Sequence, residues 1–89
     1  MPSEAENTIN VEELRLAKGM SVAAAAASVG VTRQTWFAWE REDFAPGAEL
    51  IPKIAATLDV PATDVARWAI KVGENRRARR AAEREAVKA

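Results

Sequence analysis

The chain is expected to be all-α, with five short helices packed as a bundle and a basic helical extension at the C-terminus. Three observations predict this. Apolar residues recur at helical spacing, as at Leu50, Ile54 and Leu58, and no stretch alternates with the period of two that marks a strand. Polar residues suited to N-capping stand directly before helical stretches, at Asn10, Ser21 and Thr32. Breakers follow those stretches at Gly19, Gly30 and the Pro46–Gly47 pair.

Residues 1–9 are polar and are expected to form a disordered arm. Asn10, with Glu13 three residues later, makes a capping box for the first helix, which runs to about Lys18 and stops at Gly19. Val11, Leu14 and Ala17 supply its apolar stripe. Ser21 caps the second helix, roughly Val22 to Val29, whose alanine run is strongly helical. Gly30 can take the positive φ that ends it, and Thr32 caps a third helix, roughly Arg33 to Arg41. Asp43 to Gly47 is a loop. The fourth helix covers about Ala48 to Leu58, with Ile51 and Ala55 beside the Leu50–Ile54–Leu58 row and Pro52 in the opening turn. The fifth begins near Pro61 to Thr63 and carries Val65, Trp68, Ala69 and Val72. Beyond Gly73 the chain is rich in Ala, Arg and Glu, with Val87 its one large apolar residue. It should be a solvated helix, either continuous with the fifth or hinged at Gly73. The expected division is an arm (1–9), a domain (10–72) and a basic tail (73–89).

Eighty-nine residues, 48% of them hydrophobic, suit one domain with a small core. The chain has no cysteine and no histidine, which removes disulfides, zinc fingers, thiol nucleophiles and the commonest general base. No metal, cofactor or catalysis is expected. Thirteen basic and thirteen acidic residues cancel, but unevenly. Residues 1–13 hold Glu4, Glu6, Glu12 and Glu13 and no base, whereas residues 71–89 hold seven bases against Glu74, Glu83 and Glu85. The apolar run from Met20 to Val31 is too short to span a bilayer, and the glutamates before it are unlike a signal peptide. A cytoplasmic location with no membrane partner follows as the expectation.

Ser21 to Glu40, SVAAAAASVGVTRQTWFAWE, contains two short helices joined by a glycine turn, the second fronted by polar residues. That is the helix-turn-helix pattern, whose second helix enters the DNA major groove. At about 100° per residue, Trp36 and Trp39 share one side of this helix and face the core, while Arg33, Gln34, Phe37, Ala38 and Arg41 face away. Arg can bond guanine O6 and N7, Gln can bond adenine N6 and N7, and Ala and Phe can pack on thymine methyls. An outward Arg and Gln alone would fit solvated surface equally well. A large aromatic such as Phe37 on the polar face of a small domain calls for a partner.

Residues 14–65 resemble the phage-repressor class of helix-turn-helix regulators, the Cro/C1 type, in LRLAKGMS, AASVGVTRQTWFAWE, Pro46 and LIPKIAATLDV. The resemblance implies a repressor-like five-helix bundle and base reading by Arg33, Gln34 and Ala38, which Phe37 would join. Ser21, Thr32, Thr35 and Arg41 are the expected backbone contacts, the first three near helix N-termini where the dipole favours an anion. Arg15 and Glu40 match a family ion pair that orients the recognition helix. Ala26 matches a small residue needed where two helices cross. Two departures stand out. Ala25 lies where a leucine is usual and Trp36 where a smaller aliphatic is usual, so the indole should fill what Ala25 leaves. Val22 replaces a glutamine that clamps a phosphate, which puts that contact in doubt.

The function these readings imply is sequence-specific regulation of transcription by a small phage or mobile-element repressor, binding a palindromic double-stranded operator as a homodimer in the cytoplasm, on the nucleoid. Two alternatives stay open: an antitoxin that binds a toxin and autoregulates its operon, and a protein-interaction module that kept the fold without DNA binding. Trp68 and Ile70 lie near the end by which relatives dimerise, one as core and the other as interface. Arg76, Arg77 and Arg80 of the tail would track phosphates, join a dimer interface or simply solvate a helix.

Overall fold

The computed structural model describes residues 8–88. They form α1 (Val11–Ala17), α2 (Val22–Val29), α3 (Arg33–Glu40), a 3₁₀ turn (Ala48–Leu50), α4 (Ile51–Leu58) and α5 (Ala62–Lys88), with no strand among the described residues. α4 is the hub: it packs on α5, α2 and α1, while α3 packs on α2. Three tryptophans dominate the core, with Trp36, Trp39 and Trp68 each at most 1% exposed. α2 adds only small residues and one valine to this core, burying Ala25 and Ala26 beside Val29.

Each of the first three helices starts on the side-chain cap that its sequence supplies. The Asn10 Oδ1 accepts from the Glu13 N–H at 3.0 Å, the Ser21 Oγ from Ala24 at 3.0 Å, and the Thr32 Oγ1 from Thr35 at 3.1 Å. The four helices before α5 also end alike, on a residue with positive φ: Gly19, Gly30, Glu42 and Asp59. In each case the next N–H reaches back to a carbonyl of the last turn, from Met20 to Arg15 (3.2 Å), Val31 to Ala26 (3.0 Å), Asp43 to Ala38 (2.9 Å) and Val60 to Ala55 (3.1 Å). Glycine adopts this conformation freely, whereas Glu42 and Asp59 hold it at a steric cost.

Four expectations need correction. α1 does not bury Ala17; the inward position one turn after Val11 is Arg15, whose charge hid it from an apolar pattern. The stretch 48–58 is not one α-helix. Pro52 has no N–H to donate to the Ala48 carbonyl, so the segment opens as a 3₁₀ turn in which the Ile51 N–H bonds Ala48 instead. α3 closes at Glu40, with Arg41 as its cap. Residues 1–7 of the expected arm lie outside the described residues, but Ile9 packs against the core. Ile9 and Leu14, also packed on the core, occupy the N′ and N4 positions of a hydrophobic staple.

α5 runs through Gly73 without a break. Its 27 residues make a rod of about 40 Å, close to the molecule's longest extent of 46 Å. Val65, Trp68 and Val72 anchor its first half in the core, and residues 74–86 are exposed. A Cβ built on Gly73 would meet nothing closer than the Arg77 Nη1 at 3.8 Å. Gly73→Ala should therefore stabilise the protein by about 0.5–1 kcal/mol, through the lower entropy of the unfolded chain. Thermal unfolding would register this as a Tm rise of a few degrees; a fall would mean that the helix bends there.

Candidate nucleic-acid interface

α3 separates its residues cleanly. Trp36 and Trp39 are buried, Arg33, Gln34 and Phe37 are exposed, and Thr35 and Ala38 are half-buried at the border. Phe37 keeps 49% of its surface exposed, a large apolar area in the middle of the polar face. The Arg41 guanidinium lies 5.6 Å from the centre of the Phe37 ring and 3.7 Å from a carboxylate oxygen of Asp43. Both contacts hold Arg41 at the C-terminal end of the exposed face, and Asp43 offsets part of its charge.

At the N-terminus of α3 the hydroxyls divide their work. The Thr32 hydroxyl accepts from the Thr35 N–H and donates to the Thr35 Oγ1 at 2.9 Å, so it is committed to the cap. The Thr35 hydroxyl keeps its own proton for an outside acceptor. Ser21 is placed similarly at the start of α2: its oxygen takes the Ala24 N–H, and its proton is left to donate. Val22 is half-buried and packs against the core, so it makes no polar replacement for a phosphate-clamping amide.

A polar cluster beneath α3 sets its orientation. Glu40, with a side chain 3% exposed, accepts from the Arg15 Nε at 2.5 Å and Nη2 at 3.3 Å, and from the Trp36 Nε1 at 2.6 Å. The Arg15 Nη1 donates to the Met20 carbonyl at 2.8 Å. The Arg15–Glu40 pair thus ties α1, the turn before α2 and the buried side of α3 together. The hydrogen bond to Glu40 is the main reason the Arg15 guanidinium sits above its ordinary pKa; burial opposes this, and the charges of Glu40 and Glu12 add to it. The indole donor of Trp36 escapes a reading by charge alone, although Trp36 and Glu40 stand four residues apart, the spacing at which helical side chains meet. The Met20 carbonyl carries no sequence signal.

A sequence model of the helix-turn-helix family matches residues 11–65, from the first residue of α1 to the fourth of α5. The chain belongs to the Cro/C1-type helix-turn-helix family. The family is one of DNA-binding transcriptional regulators, typically non-enzymatic, and DNA is the partner that membership supports. No curated protein and no solved structure gives a significant match to the chain. Among the described residues no group of acidic side chains could hold a metal ion, and no helix is long and apolar enough to cross a membrane.

The remaining residues of this Cro/C1-type protein fall in two places. Trp68 is core, which removes it from any surface contact, whereas Ile70 on the same helix is 63% exposed. Ile70 borders an apolar groove with Pro46, Ala48, Ile51, Ala66 and Ala69. Arg76, Arg77 and Arg80 lie beyond the family match and share a groove with Phe44. Arg79, which no sequence pattern singles out, donates from Nη2 to the Glu42 carbonyl at 2.9 Å.

Proposed function

We propose that this protein is a sequence-specific repressor that binds a (pseudo)palindromic operator as a homodimer and occludes RNA polymerase, in the manner of the phage and mobile-element repressors its motifs resemble. It would act in the cytoplasm, on the nucleoid. The observation that carries the proposal is the outward face of α3. Arg33, Gln34 and Phe37 project from a helix whose opposite face is fixed by two buried tryptophans and the Arg15–Glu40 pair. Base readout needs that combination, because a bidentate pairing discriminates only when its side chain starts from a rigid element. Ala38 would border the same surface as a thymine contact, with Ser21, Thr35 and Arg41 on phosphates and Thr32 contributing through its cap. The exposed Ile70 beside an apolar groove supports a second copy as partner, since a closed two-fold contact would cover both.

The test is a mobility shift on the DNA upstream of the protein's own gene, with wild type beside the Arg33→Ala/Gln34→Ala double variant. Removing a bidentate pairing with one base should reduce discrimination by about 1–3 kcal/mol. With both side chains truncated, specific binding should fall roughly a hundredfold or more while weak, salt-sensitive binding to random DNA persists. The wild type should load two chains per site. Equal affinity of the two proteins for the preferred sequence would refute base reading by this face.

A further inference from the structure

We propose that the C-terminal half of α5 is a second DNA-contacting surface, which follows the phosphate backbone beside the site held by α3. The inference rests on DNA binding through α3.

Charge on this segment is unevenly distributed around the helix. At about 100° per residue, Arg76, Arg77, Arg80 and Arg84 fall within an arc of roughly 100°, with Glu83 just outside its edge and Glu74 and Glu85 farther round the helix. All four arginines are exposed. Among the described residues none of them stands within ion-pair distance of a carboxylate. Arg76, Arg80 and Arg84 follow one another at i, i+4 and i+8, the spacing at which like charges repel along a helix. A helix stabilised by its own charge pairs would alternate glutamates with arginines along that row. The helix dipole favours cations in the last turn alone and does not account for Arg76 or Arg77. A polyanion laid along the stripe removes the repulsion.

The stripe is also in the right place. Arg79 donates to the carbonyl of Glu42, the positive-φ residue that ends α3, so the extension is tied to the recognition helix at its C-terminal end. There Arg76, Arg77 and Arg80, with Gly73, Phe44 and Ala45, line a groove of about 460 Å³. Arg41, the cation that α3 itself presents at this end, is offset by Asp43. The tail arginines add unpaired positive charge beside it. From Gly73 to Lys88 the helix is about 22 Å long, enough to follow several successive phosphates of one strand, which are spaced at about 3.4 Å. Residues 66–88 lie outside the family match, so the surface belongs to this chain's own extension.

The experiment measures binding of the full-length protein to a random duplex of about 40 base pairs, by fluorescence anisotropy between roughly 50 and 200 mM salt. Wild type is compared with Arg77→Gln/Arg80→Gln/Arg84→Gln and with the corresponding triple lysine variant. Every phosphate that a variant no longer neutralises should flatten the slope of log K against log salt by about 0.9. The glutamine variant should therefore drop about 2–3 from the slope, and the lysine variant should keep the wild-type slope, because a point charge suffices for phosphate. The same flattening should appear on the upstream DNA, leaving the preference set by Arg33 and Gln34 unchanged. Wild-type binding with an unchanged slope in the glutamine variant overturns this proposal alone and turns the stripe toward an acidic protein partner. Absence of wild-type binding to either DNA overturns this proposal together with DNA binding by α3.

Discussion

Replacing Glu40 with alanine should destabilise the protein by about 3–5 kcal/mol, the penalty for leaving one partner of a buried pair without the other. A domain of this size has about 5–15 kcal/mol in total, so a substantial fraction of the variant would be unfolded at modest denaturant concentrations. The reason lies in what Glu40 leaves behind. Arg15 is 7% exposed and would keep only the Met20 carbonyl as acceptor, while the Trp36 N–H would be buried with no acceptor. The pair is not itself expected to be a large net source of stability, because desolvation of both charges offsets much of their attraction. Replacing both residues, as Arg15→Met with Glu40→Leu, should therefore recover most of the stability. Urea unfolding of the two single variants and the double variant would separate these terms. A destabilisation below about 1 kcal/mol in Glu40→Ala would show that water reaches Arg15 in the variant. The contribution of Arg15 should not vary with pH in the ordinary range. Its folded pKa is raised above the ordinary arginine value, so its share of stability is fully present below that value and is lost only above it, as pH rises through the folded pKa. Proteins that keep enough structure to bind DNA should lose specific more than random binding, since α3 would no longer be held to α1.

What could be read from the sequence was whatever local chemistry decides. Ser21 and Thr32 mark the starts of α2 and α3 because a hydroxyl satisfies an N–H three residues on, and Gly30 marks the end of α2 because only glycine takes a positive φ freely. The outward placement of Arg33, Gln34 and Phe37 followed from the helical period. Tertiary partners decided the rest. Glu42 and Asp59 end their helices in the conformation that glycine would signal; aspartate is only a weak signal of it and glutamate none. Gly73 could have been a hinge by propensity, and it stays helical between a half anchored by Val72 and a half that the Arg79 hydrogen bond holds to the end of α3. The 3₁₀ turn at Ala48–Leu50 lies between these extremes: Pro52 was visible, and its missing hydrogen bond to Ala48 explains the turn once the start of α4 is known.

Trp36 should be the most costly single truncation in α3, at about 3–5 kcal/mol for Trp36→Ala. A comparison with Trp39 separates packing from hydrogen bonding. The two indoles lie on one helix with ring centres 5.7 Å apart, and both are at most 1% exposed. Their N–H groups differ. Trp36 donates to the Glu40 carboxylate at 2.6 Å, whereas the Trp39 Nε1 is buried with no hydrogen-bond partner among the described residues. Phenylalanine at either position removes similar volume and one N–H. At 36 the change also deprives Glu40 of a charge-assisted bond; at 39 it removes an unsatisfied donor, which is itself unfavourable when buried. Trp36→Phe should thus be the more destabilising by about 1.5–3 kcal/mol, measured as the difference between the two denaturation midpoints at equal m-values. Equal destabilisation would mean that volume alone matters at both sites. The small residue facing this region gives an independent test of the volume part. If the Trp36 indole occupies the space left by Ala25, then Ala25→Leu should restore stability to Trp36→Ile, although the same leucine in the wild-type core would overpack it. A double variant no more stable than Trp36→Ile would place the compensation elsewhere in the core.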